Sequence, residues 1–237
     1  YCRGWAEATL PEYLQLADEE GVDIAFLFPV PYELDFETKK ELYLSWRYEN
    51  GKTEFFSSVL SSVTNPYRLI NSHINGIVEA YKGDKELYFI PMIHPCLDTV
   101  SQIREYKEKY NPIAFKIHGT GSGIEPQKIP SDIVAELRKC GIPLILHTAY
   151  SRSQSDDILR NNSPWAEWLV ENDLKGCLAH GARLEKEALD IINRYENVVL
   201  GIAPCDRVSR NEDRLATKLD SYDPMTYLTY LKNHVDC

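Results

Sequence analysis

The chain has 237 residues, of which 43% are hydrophobic and 26% are charged. This length and balance are typical of one globular α/β domain with a large core. No apolar run approaches the roughly eighteen residues of a membrane-spanning helix, and the first residues lack the basic and apolar regions of a signal peptide. A net charge of −10 argues against binding to a nucleic-acid backbone. We therefore expect a single soluble, cytoplasmic domain over residues 1–237 that binds neither nucleic acid nor membrane.

Strands and helices are predicted to alternate along the chain. Apolar, β-branched or aromatic runs predict six strands, at residues 22–30, 86–93, 112–117, 142–147, 175–180 and 197–203. Helical periodicity marks residues 10–20, 55–82, 99–110, 131–140, 164–173 and 184–195. Repeated βα units with nearly continuous apolar strands predict a parallel sheet with helices on its outside.

Four histidines stand at or just after the ends of predicted strands, namely His94, His118, His147 and His180. The carboxyl ends of parallel strands converge on one volume in a closed barrel, whereas an open doubly wound sheet gathers its ligands mainly at one switch point. The pattern therefore favours a (β/α)8 TIM barrel with a metal centre at its mouth. The six cysteines are scattered without a C-x-x-C pair, which favours reduced thiols over a zinc ribbon.

The segments IAFKIHG, GIPLILHT, LKGCLAHGAR and ENVVLGIA occur in this order. The ordered set resembles the central and C-terminal strands of the amidohydrolase superfamily, most closely its amidohydrolase-related (amidohydrolase 2) branch of metal-dependent hydrolases and decarboxylases. The resemblance covers about residues 5 to 235. The family opens with a strand that ends in His-x-His and closes with a strand that supplies an Asp, and this chain has neither. We therefore expect the inner six strands of an eight-stranded barrel, without its first and last strands.

The metal ligand most strongly indicated is His147, because neutral imidazole at a strand end is a good ligand for zinc, manganese or iron. By resemblance, His180 is either a second metal ligand or the general acid–base, and we favour the catalytic role. Lys116 lies inside an apolar strand, where an ammonium must pair, lose its proton or be modified. The resemblance implies for Lys116 a role in catalysis or substrate binding rather than a bridge between two metals.

Three further residues are predicted to contact the substrate. His118 lies two positions after Lys116 and so points to the same side if the strand continues that far. Arg183, just past His180, could hold a substrate carboxylate in a bidentate fork. His94, before Pro95, is the weakest of the three candidates, because a polar turn residue often ends such a strand.

The function predicted from these residues is a metal-dependent hydrolase that uses metal-activated water on an amide, lactone or ester of a small molecule. The metal is expected to be a divalent ion, first of all zinc, with manganese or iron as alternatives. A metal-dependent decarboxylase of a small aromatic or unsaturated acid uses the same ligands. A catalytically inactive barrel that serves as a binding or assembly module is a third hypothesis. A homodimer is left open, since dimers are common among such barrels.

Overall fold

Helices and strands alternate along the part of the chain that the computed structural model describes, which is residues 10–29, 67–119, 124–147, 162–179 and 185–201. The helices are α1 (Leu10–Glu19), α2 (Tyr67–Ala80), α3 (Val100–Tyr110), α4 (Ser131–Cys140), α5 (Ser163–Glu171) and α6 (Lys186–Ile192), with a 3-10 turn at Pro126–Lys128 before α4. The strands are β1 (Ile24–Leu27), β2 (Glu86–Phe89), β3 (Phe115–His118), β4 (Leu144–His147), β5 (Gly176–Leu178) and β6 (Val198–Leu200). The predicted alternation is confirmed for these ranges. None of the helices described is both long and apolar enough to cross a membrane.

The strands are parallel and follow one another in space in the order in which they occur in the sequence. β1 pairs with β2, and β3, β4, β5 and β6 form a four-stranded sheet in that order. A bridge between Met92 and Lys116 joins the two groups. At that bridge the backbone N–H of Ile93 donates to the carbonyl of Lys116 at 2.9 Å, and the N–H of Lys116 donates to the carbonyl of Pro91 at 2.9 Å. This sequential order is that of a barrel wall, because a doubly wound sheet reverses its strand order part-way.

All six described strands are shorter than the apolar runs that predicted them, and prolines account for this in three of them. The run at 142–147 gives a strand that begins at Leu144, after Pro143, and the run at 86–93 gives one that ends at Phe89, before Pro91. The run at 22–30 ends as a strand at Leu27, before Pro29. Proline has no N–H to donate to a ladder, so regular pairing stops near it.

A buried side chain on α2 completes the backbone hydrogen bonding where β2 ends. Asn71 is fully buried, and its Nδ2 donates to the carbonyl of Met92 at 2.7 Å. The backbone N–H of Met92 donates to Oδ1 of Asn71 at 2.9 Å. One amide thus satisfies both polar groups of a buried residue between β2 and the bridge to β3. The strand end that leads to His94 is fixed by this contact.

The hydrophobic core lies between the four-stranded sheet and the helices. The opposite face of the sheet is therefore the inside of the barrel. The outward-facing strand residues in the core are Phe115, Ile117, Leu144, Leu146, Leu178 and Val198. The helices contribute Ile103, Tyr106, Leu137, Trp165, Leu169 and Leu189 to the same cluster. Side chains alternate between the two faces of a strand, so the intervening residues face the other way. Those residues are Lys116, His118, Ile145, His147 and Cys177, and they line the inner face.

Within the described residues, β1 and β6 are the outer strands of this wall. The expectation that two further strands complete an eight-stranded barrel stays a prediction. The same holds for a single domain over residues 1–237.

Candidate active site

Two histidines predicted from separate motifs meet at the carboxyl ends of β3 and β4. His118 and His147 are direct partners in the register of the two strands. Their ring centroids lie 4.0 Å apart and the ring planes are inclined by 24°, so the imidazoles are stacked. His118 is only 4% exposed, and His147 is partly exposed at the last residue of its strand. The structure therefore brings both nitrogen donors to one end of the inner face.

The third predicted residue on this face, Lys116, is buried in apolar surroundings. It is 3% exposed, and its Nζ lies 4.9 Å from the centre of the Phe28 ring. Burial lowers the pKa of Lys116 to about 8, and the neighbouring Cys177 opposes this shift weakly. Burial in turn raises the pKa of the Cys177 thiol. None of the ion pairs formed among the described residues includes Lys116.

The structure places His94 in a turn between β2 and α3 that a buried carboxylate holds. The backbone N–H of His94 donates to Oδ2 of Asp98 at 2.7 Å, and Tyr106 donates its hydroxyl to Oδ1 of Asp98 at 3.1 Å. The imidazole of His94 packs against the ring of Tyr67 with 5.5 Å between centroids. The turn thus has a fixed backbone, and a role for His94 in substrate binding stays a prediction.

His180 and Arg183 lie outside the described residues. The strand that leads to His180 is described up to Ala179, whose backbone N–H donates to the carbonyl of Leu146 at 3.0 Å. β5 therefore runs alongside β4 to the residue before His180. The predicted roles of His180 and Arg183 stay predictions.

A divalent metal is implied by the resemblance, and the donor set at this end of the sheet tests whether it fits. Imidazole nitrogens suit zinc, manganese or iron. The described residues contain no group of three or more His, Cys, Asp or Glu side chains that could hold an ion. They do supply one strand-end imidazole, His147, that is partly exposed and faces the barrel interior. The donors fit such an ion in kind, and a complete ligand set needs residues beyond the described ones.

The stacking of the two imidazoles limits how they can act together. A ligating nitrogen binds a metal in the plane of its ring, about 2.0 to 2.1 Å away. The planes of His118 and His147, separated by 4.0 Å and inclined by 24°, meet only well beyond that distance. In this arrangement the two rings cannot both bind the same metal ion.

The sequence pattern did not identify two residues of the inner face as parts of a site. Cys177 appeared only as one of six scattered cysteines, and Phe28 as part of an apolar run. Alternation in β5 was the available signal for Cys177, since its neighbours Gly176 and Leu178 are buried on the helix side. No sequence signal places Phe28 over Lys116, because that contact joins β1 to β3.

The fold has a counterpart among solved structures. A crystal structure described as an amidohydrolase II matches with a TM-score of 0.54 and 11% sequence identity, and the match covers 85% of this chain and 78% of that one. The chain has the amidohydrolase-type barrel fold. No protein-family model matches the sequence, and no curated protein does. The amidohydrolase-type barrel was predicted from four short segments, and that prediction is confirmed at the level of the fold.

In an amidohydrolase-type barrel, residues at the carboxyl ends of the strands form the active site. His118 and His147 occupy this end of β3 and β4, and Lys116 lies one pleat deeper on the same face. Their position is the one in which catalytic side chains are expected, which makes the three residues the candidate site.

Proposed function

We propose that the protein is a metal-dependent hydrolase that cleaves an amide, lactone or ester bond of a small molecule with activated water. The observation that carries this proposal is the stacked His118–His147 pair above Lys116, on the inner face of an amidohydrolase-type barrel. A divalent metal bound there, first of all zinc, supplies a Lewis acid that lowers the pKa of a coordinated water toward neutrality.

The stacked geometry supports a division of roles between the two described histidines. His147 ends its strand, is partly exposed and is the proposed metal ligand. His118 is more deeply buried and is proposed to contact the substrate through a ring nitrogen, either as a donor or as an acceptor. His180 is proposed as the second ligand or as the general acid–base that moves a proton between water and the leaving group.

The remaining roles concern substrate binding. Lys116 is proposed to donate hydrogen bonds from its Nζ to a substrate oxygen, and its apolar surroundings strengthen such a bond by excluding water. Arg183 and His94 are proposed to contact the substrate from the loops at the mouth. We also propose that the substrate is a small molecule, since the site lies inside a barrel rather than on an exposed face.

A second candidate is a decarboxylase of a small aromatic or unsaturated acid. The observation that favours it is the set of one buried amine and two imidazoles on the inner face, because these groups can bind a substrate carboxylate. The two reactions differ in their products. Release of carbon dioxide from a panel of such acids, with no hydrolysis of esters or amides, selects the decarboxylase.

The metal content of the purified full-length protein, prepared in turn with added zinc, manganese or iron, tests the shared mechanism. We expect about one equivalent or more of metal by elemental analysis in the wild-type protein. His147→Ala is expected to lose it, because a missing ligand typically costs orders of magnitude in affinity. His73→Ala, on helix α2, is the matched control and is expected to keep the metal.

A folded wild-type protein that takes up none of the three metals would contradict the proposal and favour the binding or assembly module. Metal retained in full by His147→Ala would contradict the role assigned to that residue.

A further inference from the structure

None of the carboxylates among the described residues forms an ion pair with Lys116. Phe28 faces it from the end of β1, fully buried Met92 is its backbone partner, and Cys177 faces it from β5. His118 on the same strand and His147 on β4 are the other titratable groups on the inner face of these two strands. Among the described residues, the ring face of Phe28 and, weakly, Cys177 favour the ammonium form, and these attractions are small beside the cost of removing the charge from water.

We propose that Lys116 is a nucleophilic amine that captures small carbonyl compounds, aldehydes or 2-oxo acids, as an imine. The neutral Nζ adds to the carbonyl carbon and forms a carbinolamine once a proton has moved from nitrogen to oxygen. Loss of water then gives the C=N bond, so one water leaves for each carbonyl compound bound. The step needs no oxidant, reductant or metal, and it does not depend on the proposed hydrolase activity.

The histidine pair is placed to serve this chemistry. Dehydration of a carbinolamine requires a proton donor at the departing hydroxyl group, and imidazole exchanges protons near neutral pH. His118 lies two residues beyond Lys116 on the same face, about 6 to 7 Å along the strand. A carbonyl compound bound to Nζ therefore lies on the same face of the sheet as the imidazole. A carboxylate on the same compound finds donors in the same two rings.

The reaction is expected to select Lys116 over the other lysines because a larger fraction of its amine is uncharged. Lys128, by contrast, is exposed, and its Nζ lies 2.7 Å from a carboxylate oxygen of Glu125. A lysine of ordinary pKa is almost fully protonated at pH 7. Lys116, with a pKa lowered to about 8 by burial, has a much larger neutral fraction at pH 7. For equal access, this favours its reaction by about two orders of magnitude.

The test is to trap the imine on the full-length protein. The protein is incubated with sodium glyoxylate at pH 7, reduced with cyanoborohydride, and analysed by intact mass and peptide mapping. Reduction adds a hydride to the imine carbon and a proton to nitrogen, which leaves a stable secondary amine. We expect one carboxymethyl group per chain, located on Lys116, with a labelling rate that rises with pH to a midpoint near 8.

Two variants and one additive control the experiment. Lys116→Met is expected to lose the label, and a thermal melt verifies that it folds. Lys128→Met is expected to label like the wild type. A metal chelator is expected to leave labelling unchanged, which separates this result from the outcome of the metal analysis.

Labels spread over exposed lysines with Lys116 unmodified would overturn the proposal. A labelling rate on Lys116 that keeps rising toward pH 10.5 would overturn it as well, since the amine would then be an ordinary lysine.

Discussion

At the scale of single residues, Lys116 occupies a buried position that is unfavourable for an ammonium group. In β3, Phe115 and Ile117 face the core, and an apolar residue could stand between them. The chain instead has a lysine at this position, and its side chain is only 3% exposed. Burial disfavours the charged form and lowers its pKa from 10.5 to about 8. The burial of Lys116 therefore lowers the stability of the folded protein at neutral pH, as is common for ionisable groups at functional sites.

Replacing this residue, as in Lys116→Met, is expected to stabilise the fold in a pH-dependent way. Between pH 8 and 10.5 the unfolded chain keeps the proton that the folded chain has lost, so the stability of the wild type rises with pH in that window. Below pH 8 the variant should be more stable by up to about 3 kcal/mol, and near pH 11 the difference should vanish. Urea unfolding at pH 7 and at pH 10 measures this.

Lys128→Met, at an exposed position, serves as the control. The difference in free energy of unfolding between this variant and the wild type should not show the change between pH 8 and 10.5 that is expected for Lys116→Met. A constant difference between Lys116→Met and the wild type from pH 7 to pH 10 would show that folding does not lower the pKa of Lys116.

At the scale of elements, one carboxylate links the two connections that begin at the candidate site. Glu185, just before α6, accepts from the backbone N–H of Asn162 at 2.6 Å and from that of Ser163 at 3.1 Å. It also accepts from the side chains of both residues. Asn162 and Ser163 form the start of α5. The side chain of Asn162, at the N-cap position, makes no capping hydrogen bond to the helix backbone. Glu185 therefore joins the residues that begin α5 to the residue that precedes α6.

The variant Glu185→Gln is expected to lower the free energy of unfolding by about 1 to 2 kcal/mol. The neutral amide offers one acceptor oxygen in place of two and loses the favourable charge at a helix N-terminus. Glu171→Gln, at the exposed C-terminal end of α5, is the matched control and should be neutral or slightly stabilising. Equal urea midpoints for the two variants would show that the contact contributes nothing.

At the scale of the whole molecule, the helices approach the sheet closely enough to exclude a single methyl group. A Cβ added to Gly176 on β5 would lie 2.6 Å from Cδ1 of Leu169 on α5 and 3.3 Å from the carbonyl oxygen of Leu144 on β4. Leu169 is fully buried, so it has little room to move away. This glycine is required by helix–sheet packing rather than by backbone conformation.

The variant Gly176→Ala is therefore expected to lower the free energy of unfolding by about 1 to 3 kcal/mol through overpacking. The matched control is Gly76→Ala on α2, where an added Cβ meets nothing within 4 Å. That change should raise stability by about 0.5 to 1 kcal/mol, because alanine is the better helix former. Thermal unfolding distinguishes the two, and a stable Gly176→Ala would mean that α5 lies farther from β5.

The sequence by itself determined the elements and which side chains share a face. Helix α4 spans the residues that its periodicity predicted, because a polar start and Gly141 at a φ of 66° mark its ends locally. Alternation along IAFKIHG put Lys116 and His118 on one side of their strand, since that relation depends only on the pleat. Histidine at several strand ends was enough to predict a barrel.

The tertiary structure alone decided what these residues contact. The register that sets His118 opposite His147 is a property of two strands, and shifting it by one residue would send one ring to the other face. Phe28 lies over Lys116 although it follows β1 and Lys116 is on β3, and the burial that lowers the pKa of Lys116 arises only when these distant segments pack together. Local sequence fixes periodicity within a strand, whereas register and curvature arise from packing between segments far apart in the chain.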